Sequence, residues 1–370
     1  MKKLAVLPIS LFAALALTAC GDDSSSGPDN TTPSSGIEQP GSSDGTDPTS
    51  SAGPEGTLPG TSSDGIPLSS SSIAPVDPGT TSSGSTTPTV EFTTEAVALP
   101  DMGCVTEPVT FGSGVKVTCN GEFAGNILDD SDTSPFDPNA AAYTSFVGIK
   151  KIFASLLPTD KAVFILRHAH RTASTDVDGV LTGLGYEQAI SVGKQIASTE
   201  DVKYWHSEIP RTQQTCMAIA QGRGQTTFSH MALKDLNGGW FEKDHAKIEE
   251  YNATVSSSYD VVSRWAYNEY PDPTVNYDEG FYDLMERGTQ FMNEIIIAQV
   301  APQSRISVVV SHDQMLYPLT IFATSRLLEM KHHEDKSWLN FLAGVAVIIH
   351  ADGSVKYVPV MGLDEGTVQS

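Results

Sequence analysis

From Thr159 onward, short uninterrupted apolar runs alternate with segments whose apolar residues recur every three or four positions. Ala162-Val163-Phe164-Ile165-Leu166 and Ile306-Ser307-Val308-Val309-Val310 are of strand length and apolar on both sides of a pleat, which predicts strands buried on both faces. Val202 to Ser207 predicts a further strand. Thr182 is placed as an N-cap before a helix with Ala189, Val192, Gly193 and Ile196 on one stripe. Further helices are expected over Thr212 to Gln221 and Gln314 to Leu328. A longer one carries Phe281, Leu284, Met285, Gly288, Met292, Ile295 and Ile296 on its apolar face. Gly344 to Ile349 and Val355 to Val360 flank Asp352-Gly353, a hairpin pattern. Strands alternating with helices predict a three-layer α/β/α sandwich with a mostly parallel central sheet. No internal repeat is visible.

Upstream the texture changes. Cys104 and Cys119 flank a stretch that alternates apolar and polar residues around Gly112-Ser113-Gly114. This predicts a hairpin, stapled by a Cys104–Cys119 bridge because the piece is too small for a core of its own. Cys216 falls in a helical run and reads as a small buried hydrophobe. Between Gly21 and Val90, 50 of 70 residues are Ser, Thr, Gly or Pro, with nine acidic side chains and no Lys or Arg. A segment so poor in apolar residues cannot offset its ordering entropy and is expected to be disordered, with a reach of about 45 Å as a random coil. The first residues combine Lys2 and Lys3 with an apolar run too short to span a bilayer, the pattern of a secretion signal. Its end, Leu17-Thr18-Ala19-Cys20, resembles the lipobox of bacterial lipoproteins. That resemblance implies cleavage before Cys20, lipid on Cys20 and a place in the cell envelope. Gly21 is compatible with delivery to an outer membrane, on either face.

The chain thus divides into a signal (1–19), a disordered tether (20–90), a small β-rich extension (91–157) and a main domain (158–365) with an insertion around 240–282. No later run approaches a membrane span, so the body is expected to be soluble. The net charge of −23 includes no basic stripe, which argues against nucleic acid as the partner.

The candidate chemistry sits directly after the expected strands. Phe164-Ile165-Leu166 runs into Arg167-His168-Ala169-His170-Arg171. Ser207-Glu208-Ile209-Pro210-Arg211-Thr212-Gln213-Gln214-Thr215 begins at a second junction, and Ser311-His312-Asp313 at a third. Open α/β sheets bind ligands beyond the carboxyl ends of their strands, so these clusters are expected to converge. Arg offers forked donors to phosphoryl oxygens and an unprotonated His can attack phosphorus, so a small phosphorylated substrate fits.

These motifs, in this order, resemble the histidine phosphatase superfamily, which includes phosphoglycerate mutases and histidine acid phosphatases. The resemblance covers about 160–360 and includes the helix opening Leu181-Thr182-Gly183-Leu184-Gly185-Tyr186-Glu187-Gln188-Ala189. It implies that His168 is the nucleophile that becomes phosphohistidine, with Arg167, Arg211 and His312 lining the phosphate pocket. Arg171 matches a further Arg of the acid phosphatases. His312-Asp313 resembles their His-Asp pair, which makes Asp313 the favoured proton donor. The competing donor is Asp235, in a segment (Leu233 to Trp240) resembling the Leu-x-Glu run of mutases and small phosphatases. Ala169 stands where the family has Gly, and its methyl group is expected to constrain the turn that orients His168. His170 is a candidate for substrate contact or a partly solvated filler. The implied activity is hydrolysis of phosphate monoesters, without a metal or cofactor.

Other features read more plainly. Trp240, Trp265, Tyr267, Tyr270, Tyr277 and Tyr282 are either a lid over the cleft or local core. His332-His333-Glu334-Asp335 suggests metal ligands, but a solvated loop is the expectation. Gly183-Leu184-Gly185 lacks the third Gly and preceding strand of a dinucleotide site. The alternative to an enzyme is a non-catalytic surface protein that binds phosphorylated or carbohydrate ligands.

Overall fold

The computed structural model describes residues 90–110, 112–128, 136–173, 178–271, 274–363 and 365–369. The expected signal (1–19), Cys20 and, apart from Val90, the expected tether lie outside the described residues.

Eight strands form the central sheet: β1 (Thr93–Ala96), β5 (Val147–Gly148), β6 (Lys161–Arg167), β7 (Val202–His206), β8 (Thr227–Ala232), β9 (Ile306–Ser311), β11 (Gly344–Ile349) and β12 (Val355–Met361). Their order is β1-β8-β7-β9-β6-β11-β12-β5. The middle of the sheet, β8-β7-β9-β6, is parallel, while β11 runs antiparallel to both β6 and β12. Strand β6 explains the layering. Ala162, Phe164 and Leu166 enter one core with helices α1 (Ile149–Ser155), α2 (Gly183–Gln195) and α3 (Pro210–Gly222). Val163 and Ile165 enter another with α4 (His245–Asn252), α5 (Ser258–Tyr267), α6 (Leu284–Gln290) and α7 (Asp313–Ala323). A continuous apolar run is needed because both faces of the strand are covered.

Local signals set several boundaries. Thr182 caps α2, accepting from Gly185 N at 3.1 Å. Pro210 starts α3, where a missing N–H costs nothing. Helix α6 begins at Leu284 behind its Asp283 cap and continues as a π-helix over Phe291–Val300. Helix α7 ends five residues before the expected Leu328, because Ser325 and Arg326 adopt left-handed backbone (φ 52° and 63°).

A separate three-stranded antiparallel sheet comprises β2 (Cys104–Pro108), β3 (Gly114–Cys119) and β4 (Glu122–Leu128), with a disulfide joining Cys104 and Cys119. The region 91–157 is therefore not one appended piece. Its β1 and β5 extend the two edges of the central sheet, and only β2–β4 stand apart. Strands β10 (Ser337–Leu339) and β13 (Thr367–Gln369) pair near the C-terminus, preceded by the short helix α8 (His332–Asp335). Among the described residues no helix is long and apolar enough to cross a membrane.

Candidate active site

Because β7, β9 and β6 are parallel neighbours, their carboxyl ends lie side by side, and each delivers one cluster to the same place. His168 N donates to Ser311 O (3.0 Å) and Ser207 N to Val310 O (3.3 Å), so the three clusters are tied together through backbone. His168 is 2% exposed, and its ring centroid lies 5.4 Å from that of His312.

Hydrogen bonds fix the protonation of both rings. His168 Nδ1 is 2.8 Å from Ala169 O; a carbonyl only accepts, so Nδ1 carries the proton and Nε2 keeps its lone pair. His312 is set the other way. Its Nδ1 accepts from Arg211 Nη2 (3.2 Å), and its Nε2–H donates to Ser207 Oγ (2.8 Å). Ser207 Oγ lies 2.9 Å from Thr212 Oγ1, whose own proton goes to Ile209 O (2.7 Å), so the chain runs one way to a backbone carbonyl. Burial, then the neighbouring His312, Arg167 and Arg211, push His168 well below the usual imidazole range. Burial and Arg211 bring His312 down to about 3. Both rings are neutral at pH 7. Burial and Arg171 lower Arg211 to about 10, which leaves it cationic.

Asp313 is already committed. Its Oδ2 meets Arg167 Nη2 at 2.8 Å and accepts from Trp338 Nε1 at 3.2 Å, while Oδ1 accepts from Gln314 N at 2.9 Å. Burial works to raise its carboxyl, but Arg167 and the Trp338 N–H outweigh this and hold it below the usual carboxylate range. These surroundings suit a fixed counter-ion and oppose the expected role of proton donor, which requires a protonated acid. Asp235 is half-buried on a 3₁₀ turn (Lys234–Leu236) after β8. That turn is clamped to both halves of the site: Leu236 O accepts from Ser311 Oγ (2.7 Å) and Leu233 N donates to His206 O (2.8 Å).

Arg171 is half-buried, donates from Nη1 to Thr172 O (2.9 Å), and adds its charge beside Arg211 and His312. His170 is half-buried and bonded through Nδ1 to Thr182 Oγ1 (2.8 Å). Ala169 is fully buried, donates to Thr215 Oγ1 (3.1 Å) and does not have positive φ, so its methyl group imposes no backbone strain at the turn.

Several site residues escaped the sequence reading. Phe341 packs on the Arg167 guanidinium (4.2 Å), on His168 (5.8 Å) and on His170 (5.4 Å). Leu339 O accepts from Arg167 Nη1 (2.5 Å). Both arrive from more than 160 residues away, with no local motif. The next residue, Leu342, is fully buried in left-handed backbone (φ 61°) and donates to Arg167 O (3.1 Å). Such a conformation costs about 1–2 kcal/mol for a residue with a Cβ, and tight packing against Gly362 helps to impose it.

Trp265, Tyr267 and Tyr277 are buried core beside Phe281, while Trp240 is partly buried over Phe291 and donates to Arg287 O. Tyr270 is partly buried against this core and only Tyr282 is exposed, so the insertion is core and not a lid of free aromatics. His332 and His333 are not in a solvated loop. Both rings are buried, His332 on Asp260 (2.7 Å) and His333 between Ser263 (2.8 Å) and Glu269 (3.0 Å). Among the described residues, Glu269, His333 and Glu334 form a group with metal-ligand spacing. The Lys331 ammonium sits 2.9 Å from Glu269 and 3.4 Å from Glu334, supplying the positive charge there itself. Cys216 is buried and unbridged, as a small apolar side chain would be.

The chain is similar to several known proteins. A probable phosphoglycerate mutase, GpmB, of Cronobacter sakazakii is 25% identical over 222 residues, covering 55% of this chain and 97% of the relative. Among solved structures, a phosphoglycerate mutase from Bacillus anthracis matches with TM-score 0.38 and 17% identity, over 55% of this chain and 93% of that one. A mycobacterial glucosyl-3-phosphoglycerate phosphatase matches with TM-score 0.34 and 16% identity, over 54% and 97%. The family model for branch 1 of the histidine phosphatase superfamily matches residues 163–355, a span that opens in β6 and includes all three strand-end clusters. The chain belongs to the histidine phosphatase superfamily.

Proposed function

We propose that this protein is an exported, lipid-anchored phosphatase that hydrolyses phosphate monoesters through a phosphohistidine on His168. The observation that carries the reading is the His168 tautomer: Nδ1–H is engaged with Ala169 O, leaving an unprotonated Nε2 among arginines. With both histidines neutral and Arg167 paired to Asp313, the guanidinium groups of Arg171 and Arg211 beside His312 offer forked donors that suit phosphoryl oxygens. Arg167 Nε is a buried donor without a hydrogen-bond partner among the described residues, which an oxyanion would satisfy.

The Nε2 lone pair attacks phosphorus in line with the ester oxygen, the P–O bond breaks, and the leaving oxygen takes a proton from Asp235. We assign Asp235 the donor role because Asp313 is held ionised by Arg167. The Asp235 carboxylate then takes a proton from water as that water attacks phosphorus, the P–N bond breaks, and phosphate leaves with His168 restored. Such acid and base help contributes roughly 10²–10⁴ in rate. His312, fixed by Ser207, orients Arg211 toward the transferring group.

The same site would serve a mutase, as the names of the relatives suggest. Hydrolysis is preferred here because the amino-terminal pattern points to export, away from cytoplasmic sugar phosphates. The cell envelope, with an anchor on Cys20, is the proposed location. Release of inorganic phosphate from a panel of monoesters, compared with His168→Ala, tests the reading. Loss of turnover in a folded His168→Ala protein is expected, and normal turnover would refute it.

A further inference from the structure

We infer that the Cys104–Cys119 disulfide is a positioning element of the phosphate pocket, acting through the first turn of α2 on the segment that carries His170 and Arg171. This rests on the phosphate-binding site proposed above but concerns residues upstream of the family match.

The contacts form a continuous chain. Gly183 is the first residue of α2, and a Cβ there would lie 2.4 Å from Cys104 Sγ and 2.6 Å from Cys119 Sγ. Both sulfurs therefore rest on the helix backbone, at a distance only glycine allows. One strand further on, a Cβ at Gly125 of β4 would lie 2.8 Å from Leu184, and Val117 and Ile127 bury their side chains in the same core as α2. The first turn of α2 then grips the active-site segment. A Cβ at Gly185 would lie 2.0 Å from His170 O. Thr182 N donates to that same oxygen (3.1 Å), Thr182 Oγ1 bonds His170 Nδ1 (2.8 Å), and Gln188 Oε1 accepts from His170 N (3.2 Å). Arg171 forms an isolated antiparallel bridge with Leu181. On its other side the His170 ring packs on Phe341, which also covers Arg167 and His168.

Gly183-Leu184-Gly185 thus finds its use. Directly after the Thr182 cap, one glycine admits the cystine and the other admits the His170 carbonyl. The small sheet cannot supply this rigidity alone, since Val105 and Phe123 on it are solvent-exposed and its core contribution is small. A cleft lined by Met102, Cys104, Gly183, Tyr186 and Glu187 opens onto the cystine. A dithiol can enter there: its thiolate attacks one sulfur, the Cys104–Cys119 bond breaks, and the mixed disulfide closes to the dithiol's own disulfide. Two electrons and two protons pass to Cys104 and Cys119.

The test compares the full chain oxidised, reduced with dithiothreitol, and as Cys104→Ser/Cys119→Ser, using inorganic phosphate as the probe by calorimetry alongside steady-state kinetics. Reduction is expected to weaken phosphate binding and raise KM about tenfold, with kcat changed less than about threefold, because the displaced groups bind phosphate and do not transfer it. Gly183→Ala is the second variant, for the case in which the reduced protein loses its fold. Helix propensity alone would make this change stabilising, so weaker phosphate binding with the disulfide intact reports the cystine contact. Unchanged phosphate affinity in Gly183→Ala, or in reduced protein whose fold is retained, overturns the inference. Weaker phosphate binding on reduction without any turnover in either form supports it while refuting the phosphatase reading.

Discussion

Replacing Asp313 by Asn separates its two conceivable roles. The carboxylate and Arg167 are 15% and 3% exposed and 2.8 Å apart. At an effective dielectric constant of about 20 their gross attraction is about 6 kcal/mol. Asn retains a hydrogen-bond acceptor but no charge, and removing one partner of a buried pair typically costs about 3–5 kcal/mol. The expected loss is therefore about 3 kcal/mol, which lowers Tm by about 6–12 °C for a domain of this size. Urea titration and thermal melts measure it. Residual activity should fall by a similar factor for nitrophenyl and alkyl phosphates, since the defect is a displaced Arg167. Asp235→Asn should behave oppositely: stability within about 0.5 kcal/mol of the parent, and a loss of roughly 10²–10⁴ in kcat/KM confined to alkyl esters with poor leaving groups. A stable Asp313→Asn protein with leaving-group-selective loss would refute the assignment.

Stability should fall on acidification below pH 6.5. His168, His206 and His312 are buried with lowered affinity for protons, His206 down to about 4 through burial and His312 to about 3, so below 6.5 the unfolded chain binds protons the native state does not. Each contributes about 1.4 kcal/mol per pH unit, a loss that ends only as each native value is reached; urea midpoints that are flat from pH 6.5 to 5 would contradict it. Ser207→Ala removes the acceptor of His312 Nε2–H and should cost about 1–3 kcal/mol of stability, with kcat/KM lowered and Ser207→Thr partly restoring it. Phe341→Ala strips the ring from the Arg167 guanidinium and should weaken phosphate inhibition by a few-fold, a contact of this kind being worth about 0.5–2 kcal/mol; unchanged inhibition would remove Phe341 from the site.

The parts of this fold that follow local rules are visible in the sequence. The apolar run of β6 must be covered on both faces, Thr182 caps α2, and Asp352-Gly353 turns the β11–β12 hairpin with Gly353 at φ 85°. The strand-end position of Arg167, His168, Arg211 and His312 follows from the same alternation. What was not legible depends on distant partners. Thr93–Ala96 is short, polar and exposed, and it is a strand only because β8 offers a free edge. Asp313 looks like a donor from its neighbour His312, yet Arg167 and Trp338, far away in the chain, decide its charge state. His332 and His333 read as solvated from their charged neighbours, but Asp260, Ser263 and Glu269 of the insertion bury and bond them. Phe341 and Leu339 carry no motif because their role is shape and one carbonyl.

The central claim is covalent chemistry on His168, and rapid acid-free quenching of the enzyme with a radiolabelled phosphate monoester tests it most directly. The account predicts label that is stable to base, labile to acid, mapped to the peptide containing His168 and absent from His168→Ala. Turnover in which no such label forms, or label on a different residue, would contradict it.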